Sequence, residues 1–154
     1  MYVQTPSEEK DELDLVFYEL QMLTQMRRLA NENTIEGVGC LESFLLHARN
    51  LIDFLENPRK KNTKKDDLLC SDFDNQSGDK ISPILTGLDC SLKVKINKHL
   101  SHLTTTRKDE RIHWAVEMIE RPILQKLTLF LDQLADIYFP TKRNKGKSDF
   151  TNLM

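Results

Sequence analysis

The chain has 154 residues, the length of one ordinary domain, with a formal net charge of −2, 5 glycines and 5 prolines. Scarcity of both residues disfavours a sheet rich in tight turns and favours helices. No apolar run approaches the ~18 residues of a membrane span, the acidic start MYVQTPSEEKDELD does not read as a signal peptide, and 3 cysteines without a C-x-x-C fit a reducing cytoplasm.

Taken in chain order, the sequence predicts four helices. The first runs from about Ser7 to Leu29, with acids in its first turn and an apolar stripe of Leu13, Val16, Phe17, Leu20, Leu23 and Met26. NENTIEGVG breaks the pattern. The second spans about Ile35 to Glu56 and stops before Pro58. Residues 57–87 form a long connection, basic at RKKNTKK and acidic at DDLLCSDFD, of a length that is usually functional or mobile. The third helix is expected from about Asp89 to Thr105. The fourth is expected from about Asp109 to Tyr138, with Ile112, Ala115, Met118, Ile119, Ile123, Leu127, Phe130, Leu134 and Ile137 along one side and a kink or break near Glu120 imposed by Pro122. The expected fold is therefore an all-α, four-helix up-and-down bundle over residues 1–139, with a long loop between helices two and three. Residues 140–154 read as a basic, disordered tail.

Charge is unevenly spread. Residues 1–56 carry 4 basic and 11 acidic side chains, a net of −7, and the remainder carries 18 and 13, a net of +5. That asymmetry permits a polyanionic partner, with Lys60, Lys61, Lys64 and Lys65 as candidate nucleic-acid contacts. Solvated loops and helix faces account for such runs as well.

The second helix holds the most specific polar pattern. On a 100° wheel Leu41, Phe44, Leu45, Ala48, Leu51, Ile52 and Leu55 share a face, and Cys40, Leu46 and Phe54 extend it. Glu42, Arg49 and Asp53 fall on one flank, with Arg49 and Asp53 at i, i+4. A helix apolar on most sides tends to be buried, so its charges should be paired. In helix three His99 lies at the edge of the Leu92–Ile96–Leu100–Leu103 face, His102 is further round, and Asn97 sits at the opposite edge. Packing the two helices face to face would bring His99 and Asn97 near Arg49 and Asp53. The competing reading is an ion pair that only seals two helices.

Other chemistry lacks its pattern. His99 and His102 stand at i, i+3 without a Glu-x-x-His companion, so no metal is expected, and no cofactor. The cysteines carry no nucleophile signature, and there is no P-loop, G-x-G-x-x-G or G-x-S-x-G. Trp114 and the phenylalanines fall at core-like spacing.

The helix order, with HARNLIDFL in helix two and INKHLSHLT in helix three, resembles the HEPN-like superfamily of small α-helical bundles, and also a group of uncharacterised bacterial helical proteins. The superfamily signature is an arginine, a polar residue, three variable residues and a histidine, completed across a dimer. Arg49-Asn50 matches its first half. Phe54 stands at the histidine position, and His102 has Lys98 and Asn97 where the arginine belongs. The resemblance implies a non-catalytic binding or interaction module in a bacterial defence or stress system. Its alternative is a metal-independent RNase in which Arg49 holds the scissile phosphate and His99 or His102 acts as general acid–base, with Glu42, Asn50, Asp53 and Asn97 as the surrounding polar cluster. A cytoplasmic homodimer built on exposed Leu46 and Phe54, with RNA or a protein as partner, completes the expectation.

Overall fold

The computed structural model describes residues 6–64, 66–101 and 114–138, with side chains of 6–11 and 101 left aside. Among these residues the fold is an all-α bundle of four helices: α1 (Pro6–Leu29), α2 (Ile35–Glu56), α3 (Cys90–Ser101) and α4 (Val116–Gln133). No strand is present among them, only isolated bridges between Asp74 and Lys80 and between Asn75 and Leu134. None of their helices is long and apolar enough to cross a membrane.

Local chemistry sets the helix ends. Proline opens α1, where its missing N–H costs no intrahelical bond, and Arg27 and Arg28 sit in the last turn against the dipole. Thr34 caps α2: its backbone is extended (φ −128°, ψ 151°) and its Oγ1 accepts the Gly37 N–H at 3.0 Å. Pro58 bars residue 57 from helical ψ, and α2 ends with Asn57 at ψ 127°. Ahead of α3, the Asp89 carboxylate accepts the Ser91 N–H at 2.6 Å, and the bonds from Ser91 hold that carboxyl below the usual aspartate value.

The fourth helix departs from expectation in three ways. It is continuous through Pro122, so that of the expected kink or break near Glu120 the break is absent. Pro122 lies in its second turn, where only one intrahelical N–H is lost. It begins at Val116, since Trp114 and Ala115 precede it without helical structure. It ends at Gln133, because Leu134 turns out to ψ 136° and Ala135 donates instead to the Asp74 carbonyl at 3.1 Å. Met118 and Ile137, expected in its apolar stripe, are 72% and 53% exposed. The expected extensions of α3 to Thr105 and of α4 back to Asp109, His102, Lys65 and the tail 140–154 lie outside the described residues.

The second helix is the centre. Phe44, Leu45, Ala48, Leu51 and Leu55 are fully or almost fully buried, and α2 touches α1, α3 and α4. Leu13, Val16, Leu20 and Leu23 of α1, Ile96 of α3, and Ile119, Ile123, Leu127 and Phe130 of α4 complete the core. The connection from 57 to 89 is irregular but packed. It contributes Leu69, Cys70, Phe73, Ile81 and Leu88 to the interior.

Phe73 anchors that connection. Its ring meets Phe130 and Tyr138 edge-on at 5.5 Å each and Phe54 at 6.1 Å, and Phe54 meets Phe130 at 5.0 Å. Such edge-to-face pairs add about 0.5–1.5 kcal/mol each beyond area burial. Phe54 is therefore 5% exposed and lies inside one chain, contrary to its expected place at a dimer interface. Of the apolar extension of α2, Phe54 is covered by the connection and α4, whereas Leu46 is 43% exposed.

Candidate functional site

Between α1, α2 and the start of the connection lies a cleft of about 690 Å³, within the ~300–1,000 Å³ range of ligand sites. Leu15, Val16 and Glu19 come from α1, and Asn50, Leu51, Asp53, Phe54 and Asn57 from α2. The outer wall is the segment from Pro58 to Leu69.

Arg59 builds that wall. Its guanidinium donates to the Asp72 carboxylate, to the Lys64 carbonyl at 3.0 Å and to the Asp67 carbonyl at 2.7 Å. One planar fork thus gathers three points of a turn that has no regular structure of its own. Thr63 Oγ1 accepts the Lys60 N–H at 2.8 Å, and the Asp67 carboxylate accepts the Lys64 N–H at 3.1 Å.

At the α1–α2 side, Glu19 is the hub. Its Oε2 lies 2.7 Å from His47 Nδ1 and accepts the Asn50 amide at 3.1 Å. The His47 side chain is 8% exposed, and the Tyr18 ring meets it edge-on at 5.9 Å. A histidine at that depth needs a polar partner, and the carboxylate from the neighbouring helix supplies it.

Arg49 and Asp53 do pair, with Nε 3.8 Å from Oδ2, but both are at the surface, 39% and 53% exposed at the side chain. The expected burial of these charges is corrected accordingly: they lie on the outward strip of α2, clear of its packed faces. Burial within the cleft pushes the Asp53 carboxyl up, more than Arg49 lowers it, and Glu56 and Asp67 push the same way.

His99 has other neighbours. It lies 3.9 Å from the Glu42 carboxylate and meets the Trp114 ring edge-on at 5.3 Å. Helices two and three are in contact, and they bring together Glu42 and His99. Arg49 stands two turns further along α2, about 10 Å of axial rise from Glu42. Asn97 is exposed on α3. Asn50 belongs to the Glu19–His47 group and not to the Arg49 pair.

Lys60, Lys61 and Lys64 are exposed, and Lys60 lines the cleft. It does so among Glu19, Asp53, Asp66 and Asp67, so the lining is acidic on balance. Among the described residues no three His, Cys, Asp or Glu side chains are placed to hold a metal ion. Burial pushes the Cys70 thiol up to about 11, and its Sγ donates to the Leu55 carbonyl at 3.2 Å. Cys70 is a packed thiol, held in its protonated form by burial.

Sequence reasoning missed Glu19, although His47 on an apolar helix signalled that some partner must face it. It also missed Arg59, which reads as one cation in a basic run, and Glu56. The Glu56 carboxylate accepts from the Thr86 N–H at 2.9 Å, from the Thr86 hydroxyl and from the Lys93 ammonium, fastening α2, the connection and α3. No family model, no curated protein and no solved structure matches this chain.

Proposed function

We propose that this chain is a non-catalytic binding module of HEPN-like type, and that the α1–α2 cleft is its binding site. The observation that carries the reading is the make-up of that cleft. It is of ligand size, apolar along Leu15, Val16, Leu51 and Leu68, and acidic through Glu19, Asp53, Asp66 and Asp67. Such a lining suits a cationic protein segment better than a nucleic-acid backbone, whose phosphates would meet four carboxylates. The His47 imidazole beside the cleft is held by Glu19, whose carboxylate also accepts the Asn50 amide.

The competing reading is the metal-independent RNase with Arg49, His99 and His102 as its machinery. Its support is the exposed Arg49 guanidinium and the basic run through Lys60, Lys61, Lys64 and Lys65. A metal-free RNase assay on wild type and Arg49→Ala separates the two. The module reading expects background cleavage from both, whereas cleavage abolished by Arg49→Ala establishes the enzyme. Homodimerisation belongs to the proposal through Leu46, 43% exposed on α2, and light scattering at high concentration tests it.

A further inference from the structure

The cleft is acidic, and the sequence that follows the described residues is basic. The described structure ends at Tyr138, whose ring packs on Phe73 at 5.5 Å. Phe73 packs on Phe54 at 6.1 Å, and Phe54 lines the cleft. The short turn that carries Tyr138 also touches α1, the helix that supplies Leu15, Val16 and Glu19 to the same cleft.

Beyond Tyr138 the sequence runs FPTKRNKGKSDFTNLM, with Lys142, Arg143, Lys145 and Lys147 against Asp149. Extended chain covers about 3.3–3.6 Å per residue, so the stretch from 139 to 147 spans up to roughly 30 Å, more than the roughly 20 Å of axial rise that separates the cleft residues of α1 from either end of that helix. That length is enough for the cations along it to reach the acidic side chains of the cleft. Tethering raises the effective concentration of such a segment to the millimolar range, so a weak intrinsic affinity is enough for occupancy.

We propose that the α1–α2 cleft is the docking site of this chain's own basic segment, residues 142–147, which a partner must displace. The inference rests on the cleft being the binding site, as proposed above. Asp53 supports it. Its carboxyl is pushed up by burial and by the neighbouring acids Glu56 and Asp67, against the opposing pull of Arg49 and of the Asn57 amide, and an ammonium group in the cleft relieves that repulsion.

The test uses the full chain with a nitroxide attached at Gly146→Cys, in a Cys40→Ser, Cys90→Ser background that leaves the buried Cys70 in place. Paramagnetic broadening of backbone amides is the readout. The expected result is selective broadening of Leu15, Glu19, Asn50 and Asp53. It is relieved near 1 M salt, where the screening length falls to about 3 Å, and by Asp53→Asn, Asp66→Asn, Asp67→Asn combined. Uniform broadening, or broadening indifferent to salt and to those substitutions, overturns the inference. A second arm titrates a synthetic peptide of residues 139–150 into wild type and into a chain carrying Lys142→Glu, Arg143→Glu, Lys145→Glu and Lys147→Glu. Binding at least about tenfold tighter to the charge-reversed chain is expected, since no tethered segment competes there. Cleft shifts of equal affinity in both chains leave the cleft as a binding site and remove the internal occupant. No shift in either chain removes both.

Discussion

The imidazole Nδ1 of His47 lies 2.7 Å from Oε2 of Glu19, and this contact ties α2 to α1 at the side of the cleft. The carboxylate also takes the amide of exposed Asn50, but the group its loss strands in the interior is His47. Leaving a buried polar group unsatisfied costs about 1–3 kcal/mol. Glu19→Ala should therefore lower the thermal midpoint by about 2–4 °C for each kcal/mol in a chain of this size. A Glu19→Leu, His47→Phe double variant, which removes both partners, should recover part of that loss. A double that is as unstable as the sum of the singles denies the coupling.

Glu56 makes stability depend on pH. Burial pushes its carboxyl up, but the bonds from Lys93 and Thr86 outweigh it and hold the folded value below the ordinary 4.5. A carboxyl lowered on folding contributes stability that is complete above the unfolded value and is lost as pH falls through the folded one. Urea unfolding should show wild type losing its advantage over Glu56→Gln on acidification below about pH 4. An advantage that is unchanged or larger in acid contradicts this.

Arg59 holds the outer wall of the cleft, not the core. Arg59→Ala should cost on the order of 1 kcal/mol globally, since the group is partly exposed. Locally the effect should be large: hydrogen exchange of the amides from Lys60 to Leu69 should quicken while α1 and α2 keep their protection. Equal quickening everywhere would place Arg59 in the global fold instead.

Gly37 is packed where no side chain fits. A Cβ there would lie 2.3 Å from the Asn31 carbonyl oxygen and 2.5 Å from the Asn31 Cβ. Gly37→Ala should displace the turn ahead of α2 and cost about 1–3 kcal/mol by denaturant titration, despite alanine's better helix propensity. Gly39→Ala, with open space around it, should be neutral or stabilising.

Phe73 joins the connection to the bundle through three rings. Phe73→Ala should cost about 3–5 kcal/mol. Its effect should be reported by loss of the near-ultraviolet signal of Tyr138 before any loss of helix content. A loss below about 1 kcal/mol would mean that the connection folds independently of its anchor.

The helices were legible because burial writes its period into sequence: Leu13, Val16, Leu20 and Leu23 announce α1, and Pro58 announces the end of α2. The fourth helix was overextended. Trp114, Leu134 and Tyr138 are as apolar as core helix residues, but Trp114 meets His99 of α3 and the other two meet the distant connection, contacts that no local period records. The polar groups divided in the same way. Arg49 and Asp53 were legible as a pair because their spacing is local. Glu19 with His47, and Glu56 with Thr86 and Lys93, are pairs across long sequence separations, chosen by packing. The apparent burial of Arg49 came from counting Phe54 and Leu46 as one surface. Phe54 is covered by Phe73 and Phe130, and Leu46 stays in solvent.

The three cysteines sit at three depths: Cys90 exposed, Cys40 half-buried and Cys70 fully buried beneath the connection. An alkylating reagent added in excess will therefore read the chain as a clock. Cys90 should react first and Cys40 next, each at a rate near that of its accessible thiolate. Cys70, with its thiol pushed up to about 11, can react only when the connection lifts away from Leu55. Its labelling rate, followed by mass, measures how often that part of the native state opens, with the two outer thiols as internal standards in the same tube.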